Sequence, residues 1–486
     1  MARFLKLSHF LLFNALKSVK KIANLSLLSI PSMKNIIILA SLFFISINGL
    51  YAKTPAPTDS INIINKTIAS KLLNDGIYLY QEGKNLEALL KFREAAEKDP
   101  SNWRAIYYIS MISYDKNNFH QALSQIKTAL KIDKADQEGE LLEQYARCLH
   151  RIGNVDEAFL NYKKAQGKLS KALAKELQVA LHIEQCQFAK KEMTSGRKTK
   201  RKVISRRVNS KYHEYSPVLA DSGKVLYFTS RRADTKGKSL NPADQQYFED
   251  IYIAKWNPEI KDWDSITNKI KRFNTPGFDA LSYVSPDGSK ALITINTEAC
   301  VKVTTRGSDI FETKKSKRSG KFGTPKILKN KTINTTFFEG AATLTKNGKT
   351  MYFVTDRNYE KKATDIWVVH KEGNSWGKAK ALSDVINTPG RETTPFISED
   401  GKYLFFSSNG HVGMGGLDIY VSENKKGEWT KPINLGIMVN SVNNDTHFQY
   451  YPALKKAMMA SIVSKKGKNN IDIYEVDMEG FVMPKK

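Results

Sequence analysis

Five copies of one short pattern, an Asp-Ile pair followed by an aromatic residue, run through the last three-fifths of this 486-residue chain. They begin at Asp250, Asp309, Asp365, Asp418 and Asp472, so the spacings are 59, 56, 53 and 54 residues. A regular period of this length indicates supersecondary units that cannot bury their apolar faces alone. Short aromatic and β-branched runs within each unit predict small antiparallel sheets. We therefore expect the five blades of a β-propeller over residues 202–486.

A second marker supports this prediction in every unit. An Asn followed by Ser or Thr precedes a carboxylate that lies five residues after the Asn; the carboxylates are Glu214, Asp279, Glu339, Glu392 and Asp445. The first marker comes before the first Asp-Ile pair, and the fifth unit ends near Val476. The strand at residues 202–208 is thus expected to complete the last blade, which closes the ring and removes an open sheet edge.

Residues 70–193 carry a different, helical pattern. Leu72, Gly76, Ala88, Phe92 and Ala95 lie at fixed positions of a 34-residue unit, and two further units follow from Trp103 and, in an offset register, around Leu142. Small residues where paired helices touch, with aromatic residues beside them, resemble tetratricopeptide repeats. Three units with a terminal helix over residues 173–191 predict an α-solenoid with a concave groove for a peptide or helix.

The predicted fold class is therefore a multidomain chain, with an α-solenoid followed by an all-β propeller closed by its N-terminal strand. We expect a linker at residues 53–69 and a basic linker at residues 194–201 between the two domains. The stretches Glu214-Tyr215-Ser216-Pro217, Phe248-Glu249-Asp250-Ile251-Tyr252 and Ser408 to Tyr420 resemble TolB-like, WD-type propellers of the Pro-Asp repeat class. The combination is similar to exported Bacteroidetes proteins, and to the N-terminal part of OmpA-family envelope proteins. That resemblance implies an envelope protein, with some relatives in type IX secretion.

Targeting signals lie before the repeats. Residues 36–50 form an apolar run that follows Lys34 and precedes Ala52, which is typical of a secretory signal peptide. Met33 is the expected start, so residues 1–52 are read as an extension and signal; an uncleaved membrane anchor is the alternative. The formal net charge is +27, which is typical either of an anionic partner or of a self-repelling surface. We expect export to the periplasm, possible outer-membrane or peptidoglycan association, and no nucleic-acid partner.

Two groups of residues are candidates for binding. The five repeated carboxylates would ring one mouth of the propeller, where oxygen ligands could hold calcium; alternatively, each accepts local backbone hydrogen bonds and fixes its own strand. Loops that differ between blades are candidates for partner contacts. These candidates are Arg231, Arg232, Asp356, Arg357, Asn409, His411 and Met414. His411 is also compatible with a packed residue in a Gly-rich turn.

The matches to catalytic motifs in this sequence lack the context that those motifs require. Gly373 to Gly377 matches the spacing of a nucleophile elbow but lies at a turn between strands, whereas that motif needs a strand followed by a helix. The three cysteines show no metal-ligand spacing. The sequence therefore predicts a non-enzymatic scaffold with protein partners and no cofactor apart from calcium. A glycan- or peptidoglycan-binding propeller is the second hypothesis, and an exported hydrolase is the third.

Overall fold

The computed structural model describes residues 57–132, 138–270, 272–296, 307–358, 363–465 and 468–483. The predicted signal peptide and the start at Met33 lie outside these residues. No helix within the described ranges is both long and apolar enough to cross a membrane.

Eight helices lie between residues 57 and 194 in the part of the chain that the structure describes, and they are here called the helical array. Their bounds are α1 (Pro57–Gln81), α2 (Asn85–Lys98), α3 (Trp103–Asp115), α4 (Phe119–Ala129), α5 (Gly139–Arg151), α6 (Val155–Lys168), α7 (Lys171–Glu176) and α8 (Val179–Thr194). The first six make three antiparallel pairs, as the repeat pattern predicts. The expected single terminal helix is instead two helices, because Gln178 adopts a left-handed conformation with φ of 52° between α7 and α8.

Small residues let the paired helices approach closely. At Gly76 in α1, a Cβ would lie only 2.6 Å from the Phe92 ring of α2, so no larger residue fits without a shift. Ala88, Ala122 and Ala158 in the second helices of the three pairs are fully buried. This is why the 34-residue pattern keeps small residues at these positions.

The propeller contains five antiparallel sheets. Blade 1 has β2 (Glu214–Ala220), β3 (Val225–Ser230), β4 (Asp250–Asn257) and β5 (Asp262–Thr267); blade 2 has β6 (Phe278–Val284), β7 (Lys290–Asn296), β8 (Asp309–Lys314) and β9 (Lys326–Ile327); blade 3 has β10 (Glu339–Leu344), β11 (Thr350–Thr355), β12 (Asp365–Glu372), β13 (Ser375–Trp376) and β14 (Lys380–Ala381). Blade 4 has β15 (Glu392–Ile397), β16 (Tyr403–Ser408), β17 (Asp418–Lys425), β18 (Glu428–Trp429) and β19 (Ile433–Asn434); blade 5 has β20 (Asp445–Tyr451), β21 (Lys456–Lys465), β22 (Lys468–Asp477) and β1 (Arg201–Val203).

The predicted ring closure is confirmed. Strand β1 pairs with β22, with Lys202 opposite Glu475, so the start of the propeller completes its last blade. The innermost strands, β2, β6, β10, β15 and β20, surround the central axis. In blade 1, Glu214 pairs with Ser230 and Ser230 with Asp250, so the repeated carboxylates and the loops between second and third strands share one face. We call it the loop face.

The two sequence markers bind each other, and this explains why both repeat. The side chain of each marker Asn accepts a 2.8 Å hydrogen bond from the backbone N–H of the Ile in the preceding blade. The pairs are Asn274 with Ile251, Asn334 with Ile310, Asn387 with Ile366, Asn440 with Ile419, and Asn209 with Ile473. The same Asn also donates back to the carbonyl of that Ile. Because Asn209 precedes blade 1 and Ile473 lies in blade 5, the fifth Asn–Ile pair joins the first and last blades and closes the ring.

Candidate functional site

The helical array packs on the loop face of blades 4 and 5. His150 Nε2 donates to the Met414 carbonyl at 2.8 Å, and Arg151 Nη1 donates to the Val442 carbonyl at 2.9 Å. Burial lowers the pKa of His150 to about 4, so the imidazole is neutral in this contact. Met414 and Val442 form an apolar cluster with Val155 and Ala189 of the array. The array and the propeller are therefore held together by a mixed polar and apolar interface.

This interface corrects part of the predicted partner site. Met414 is only 1% exposed because the array covers it, so it contacts the chain itself and no external partner. The carbonyls of Asn409 and His411 accept hydrogen bonds from Gln185 of α8. The His411 ring bonds the Ile386 carbonyl at 3.0 Å and packs beside Tyr420, as the packed-residue alternative predicts.

The side chains of the arginine and aspartate candidates also form ion pairs and hydrogen bonds within the chain. Arg231 makes a bidentate ion pair with Asp244 at 2.6 and 3.1 Å. Arg232 contacts Glu214, and Arg357 contacts Glu339 at 3.1 Å. Asp356 accepts the Phe338 N–H at 2.9 Å. These four side chains therefore hold the loop face together, and their contact with partners stays a prediction.

The five repeated carboxylates do not share a cation. Each is fully buried and accepts hydrogen bonds from the backbone N–H of the Ser or Thr four residues earlier, and from its hydroxyl. Within the ranges that the structure describes, no group of three acidic, His or Cys side chains could hold a metal ion. The local alternative therefore replaces the calcium ring for Glu214, Asp279, Glu339, Glu392 and Asp445.

These carboxylates differ in their cationic partners. Arginines contact Glu214, Glu339 and Asp445, the last through Arg201 Nη1 at 2.7 Å. Glu392 and Asp279 form no ion pair within the described part of the chain. Burial raises the pKa of Glu392 to about 7 and that of Asp279 to about 8. At blade 4, glycine stands where Arg232 and Arg357 stand in blades 1 and 3, because a Cβ at Gly410 would lie 1.8 Å from the Thr388 hydroxyl.

A polar and aromatic surface crosses the first helices of the repeats. We call it the repeat face and define it by Tyr80, Tyr108, Glu143, Arg147 and His182. The Tyr80 hydroxyl donates to Asp115 at 2.6 Å, and the rings of Tyr80 and Tyr108 lie 5.9 Å apart. First helices of such pairs line the concave side of a solenoid, where ligands bind. The repeat pattern predicts the groove but does not single out these residues.

The repeat face carries an unusual carboxylate. Glu143 is 1% exposed and lies 3.7 Å from both Arg147 Nε and His182 Nδ1. Neither of its oxygens accepts a hydrogen bond from any residue that the structure describes. Burial raises the pKa of Glu143 to about 7. A polar cavity of about 70 Å³ beside it is lined by Arg147 and His182 of the array and by Asn409 and Gly415 of the propeller.

Comparisons with known proteins concern the helical array. Neither a protein-family model nor a curated protein matches the sequence. The type III secretion chaperone SycD of Yersinia enterocolitica, solved with a peptide of the translocator YopD, is 22% identical, with a TM-score of 0.23 over 25% of this chain and 93% of that one. The C-terminal tetratricopeptide domain of a Plasmodium falciparum FK506-binding protein is 18% identical, with a TM-score of 0.25 over 28% of this chain and 95% of that one. The first such domain of human RPAP3 is 15% identical, with a TM-score of 0.22 over 25% and 95%.

Proposed function

We propose that this protein is a non-enzymatic scaffold of the cell envelope that binds protein partners through the repeat face. The observation that carries the proposal is the difference in accessibility between the two surfaces. The loop face of blades 4 and 5 is covered by the array, whereas Tyr108 and Arg147 of the repeat face remain partly accessible. Partly exposed Tyr and Arg side chains are the types most enriched at energetic centres of protein interfaces.

The envelope role rests on the sequence before the described residues. The apolar run at residues 36–50 after Lys34 predicts export, and the resemblance to exported repeat-propeller proteins adds secretion or outer-membrane assembly as the setting. Two folds that present extended surfaces suit an adaptor, which needs contacts with more than one component.

Site-specific photocrosslinking in living cells tests both parts of the proposal. A photoreactive phenylalanine at Tyr108, on the first helix of a pair, should give a discrete adduct with an envelope protein. The same residue at Leu160, which is 58% exposed on the second helix of a pair, is the matched control and should give none. Equal adducts at both positions would contradict use of the repeat face, and an adduct with a cytosolic protein would contradict the envelope setting.

A further inference from the structure

A cavity of about 610 Å³ lies in the centre of the propeller; we call it the cup. Its walls come from the innermost strands of all five blades, and Asn117 of the array, with Ile462 and Ile471 of blade 5, lies at its rim. Below it, Gln449 of blade 5 donates a 3.0 Å hydrogen bond to the Ser282 carbonyl of blade 2. These two blades are not neighbours, so this bond spans the channel and gives the cup a floor. Its volume is within the range of small-molecule sites.

The cup is lined by residues in a costly backbone conformation. In four blades the second residue after the repeated carboxylate has a positive φ; these are Ser216 at 53°, Ala341 at 48°, Thr394 at 46° and His447 at 55°. Each lies at a β-bulge of an innermost strand. Bulges redirect side chains, and left-handed residues other than Gly cluster at ligand sites. Here the bulges turn these four residues toward the cup, which they line.

The repeat symmetry breaks at the mouth of the cup. The residue before each repeated carboxylate varies among the blades, with Phe in blades 2 and 3 and three other residue types in blades 1, 4 and 5. These residues are His213, Phe278, Phe338, Arg391 and Asn444, of which the last four line the cup. The backbone carbonyls of His213, Phe338 and Arg391 accept equivalent hydrogen bonds from the residue after the second strand. Blade geometry therefore explains the backbone at this position but not the choice of side chain.

Arg391 is the exception among the arginines of the loop face. Arg201, Arg231, Arg232 and Arg357 each pair with a carboxylate. The guanidinium of Arg391, in contrast, forms no ion pair or hydrogen bond with any residue in the described ranges, and its side chain is exposed at the cup. Surrounding protein lowers the pKa of Arg391, and Asp356 offsets this only in part. Arg391 is thus a cation without a full counter-charge.

Among the residues that the structure describes, one carboxylate lines the cup, and it does not supply that counter-charge. Glu249 lies beside Arg231 and Tyr215, both of which favour its ionised form against the effect of burial. Burial nevertheless raises the pKa of Glu249 overall, and its cationic neighbour is Arg231 of blade 1, which also pairs with Asp244. Asp356, and not Glu249, is the carboxylate that acts on Arg391 of blade 4. Phe278 and Phe338 add apolar ring surface beside it.

We propose that the cup binds a small organic molecule that carries a carboxylate, with Arg391 as its anchor and the aromatic residues of the mouth against its apolar body. A planar guanidinium and a carboxylate form two parallel, charge-assisted hydrogen bonds, which supply both affinity and orientation. The cup lies apart from the repeat face, so this activity is additional to partner binding.

Calorimetry on the full chain tests the proposal with matched probes. N-acetylphenylalanine and benzoylglycine should bind, and their primary amides should bind at least about tenfold more weakly, which corresponds to about 1.4 kcal/mol. Arg391→Gln should remove the preference for the acid. Arg318→Gln, which changes an exposed arginine in the loop between β8 and β9, should keep it. Ala280→Trp fills the cup without a change of charge and should abolish binding of both acids.

The outcomes are decisive in each direction. Acids and amides that bind equally, or a wild-type chain that binds neither acid, would overturn the proposal. Binding of a tetrapeptide with a free C-terminal Phe, but of neither small acid, would overturn the assignment to a small molecule. Modification by phenylglyoxal provides a check that does not depend on the variants folding. Arg391 should react faster than Arg232 and be protected by N-acetylphenylalanine, and no protection would contradict its role as anchor.

Discussion

At the scale of single residues, the repeated carboxylates show how one motif serves in different electrostatic settings. All five have the same local bonds to a Ser or Thr, but within the described ranges only three have an arginine partner. Burial raises the pKa of all five carboxyl groups, and in Glu214, Glu339 and Asp445 the arginine offsets part of this rise. The pKa of Asp279 rises to about 8, chiefly because of burial, and the nearby charges of Asp250 and Glu249 add to the rise.

The Asp279→Asn variant should therefore change how stability depends on pH. Between about pH 4 and pH 8 the unfolded carboxyl ionises while the folded one keeps its proton, so this group costs more stability as pH rises. Asn cannot ionise, and its amide can still accept the Thr275 N–H and donate to the Thr275 hydroxyl. We expect the variant to be more stable than wild type at pH 8 by about 1 kcal/mol or more, and similar at pH 4.

Thermal melts at pH 4, 6 and 8 measure this effect. Asp445→Asn is the matched control at the equivalent position of blade 5. It should lower stability at neutral pH, because Arg201 then loses its buried partner. If Asp279→Asn loses as much stability at pH 8 as Asp445→Asn does, the claim that Asp279 is protonated in the folded protein is contradicted.

At the scale of elements, the ring depends on the short strand β1. Its register places Lys202 opposite Glu475, between the bonded positions Ile204 with Ile473 and Lys200 with Asp477. Hydrogen-bonded and non-bonded pairs alternate along an antiparallel ladder, so Lys202 lies at a bonded position and Val203 does not. Closure by three residues is thus sensitive to the loss of a single backbone donor.

Lys202→Pro should open this closure, because proline removes the donor from the ladder. We expect the melting temperature to fall by several degrees, whereas Val203→Pro should have a much smaller effect. Lys202→Ala separates the backbone effect from loss of the ion pair with Glu475, which joins two partly exposed side chains and should matter little. Equal effects of the two prolines would show that β1 does not latch the ring.

The elements were more predictable from the sequence than the sites. The Asp-Ile pairs and the Asn markers repeat because they bond to each other in every blade, so a local physical constraint left a visible period. Gly76 and the buried alanines did the same for the helices. Arg391 is not part of a repeating sequence pattern, because its proposed role depends on its difference from Phe278 and Phe338 at the equivalent positions. The array over Met414 joins residues more than 200 positions apart, which no local pattern records.

At the scale of the whole molecule, the central claim is that the array and the propeller form one docked body. Glu192 of α8 accepts the Ile437 N–H at 2.9 Å, and this adds to the contacts at Met414 and Val442. Docking places Asn117 at the rim of the cup and brings Asn409 to the polar cavity of the repeat face. Both proposed binding surfaces are therefore completed by the contact between the domains.

An electron paramagnetic resonance distance between the two domains tests this claim most directly. Spin labels at Leu160 of α6 and Lys349 of the β10–β11 turn, both exposed, should give one narrow distribution in a chain with Cys300 replaced by Ser. Met414→Lys should broaden it, because the apolar contact then contains a charge. Val412→Lys, in the same loop but 38% exposed, should leave it narrow. A broad distribution in the parent chain, or one that Met414→Lys does not change, would contradict the docked arrangement.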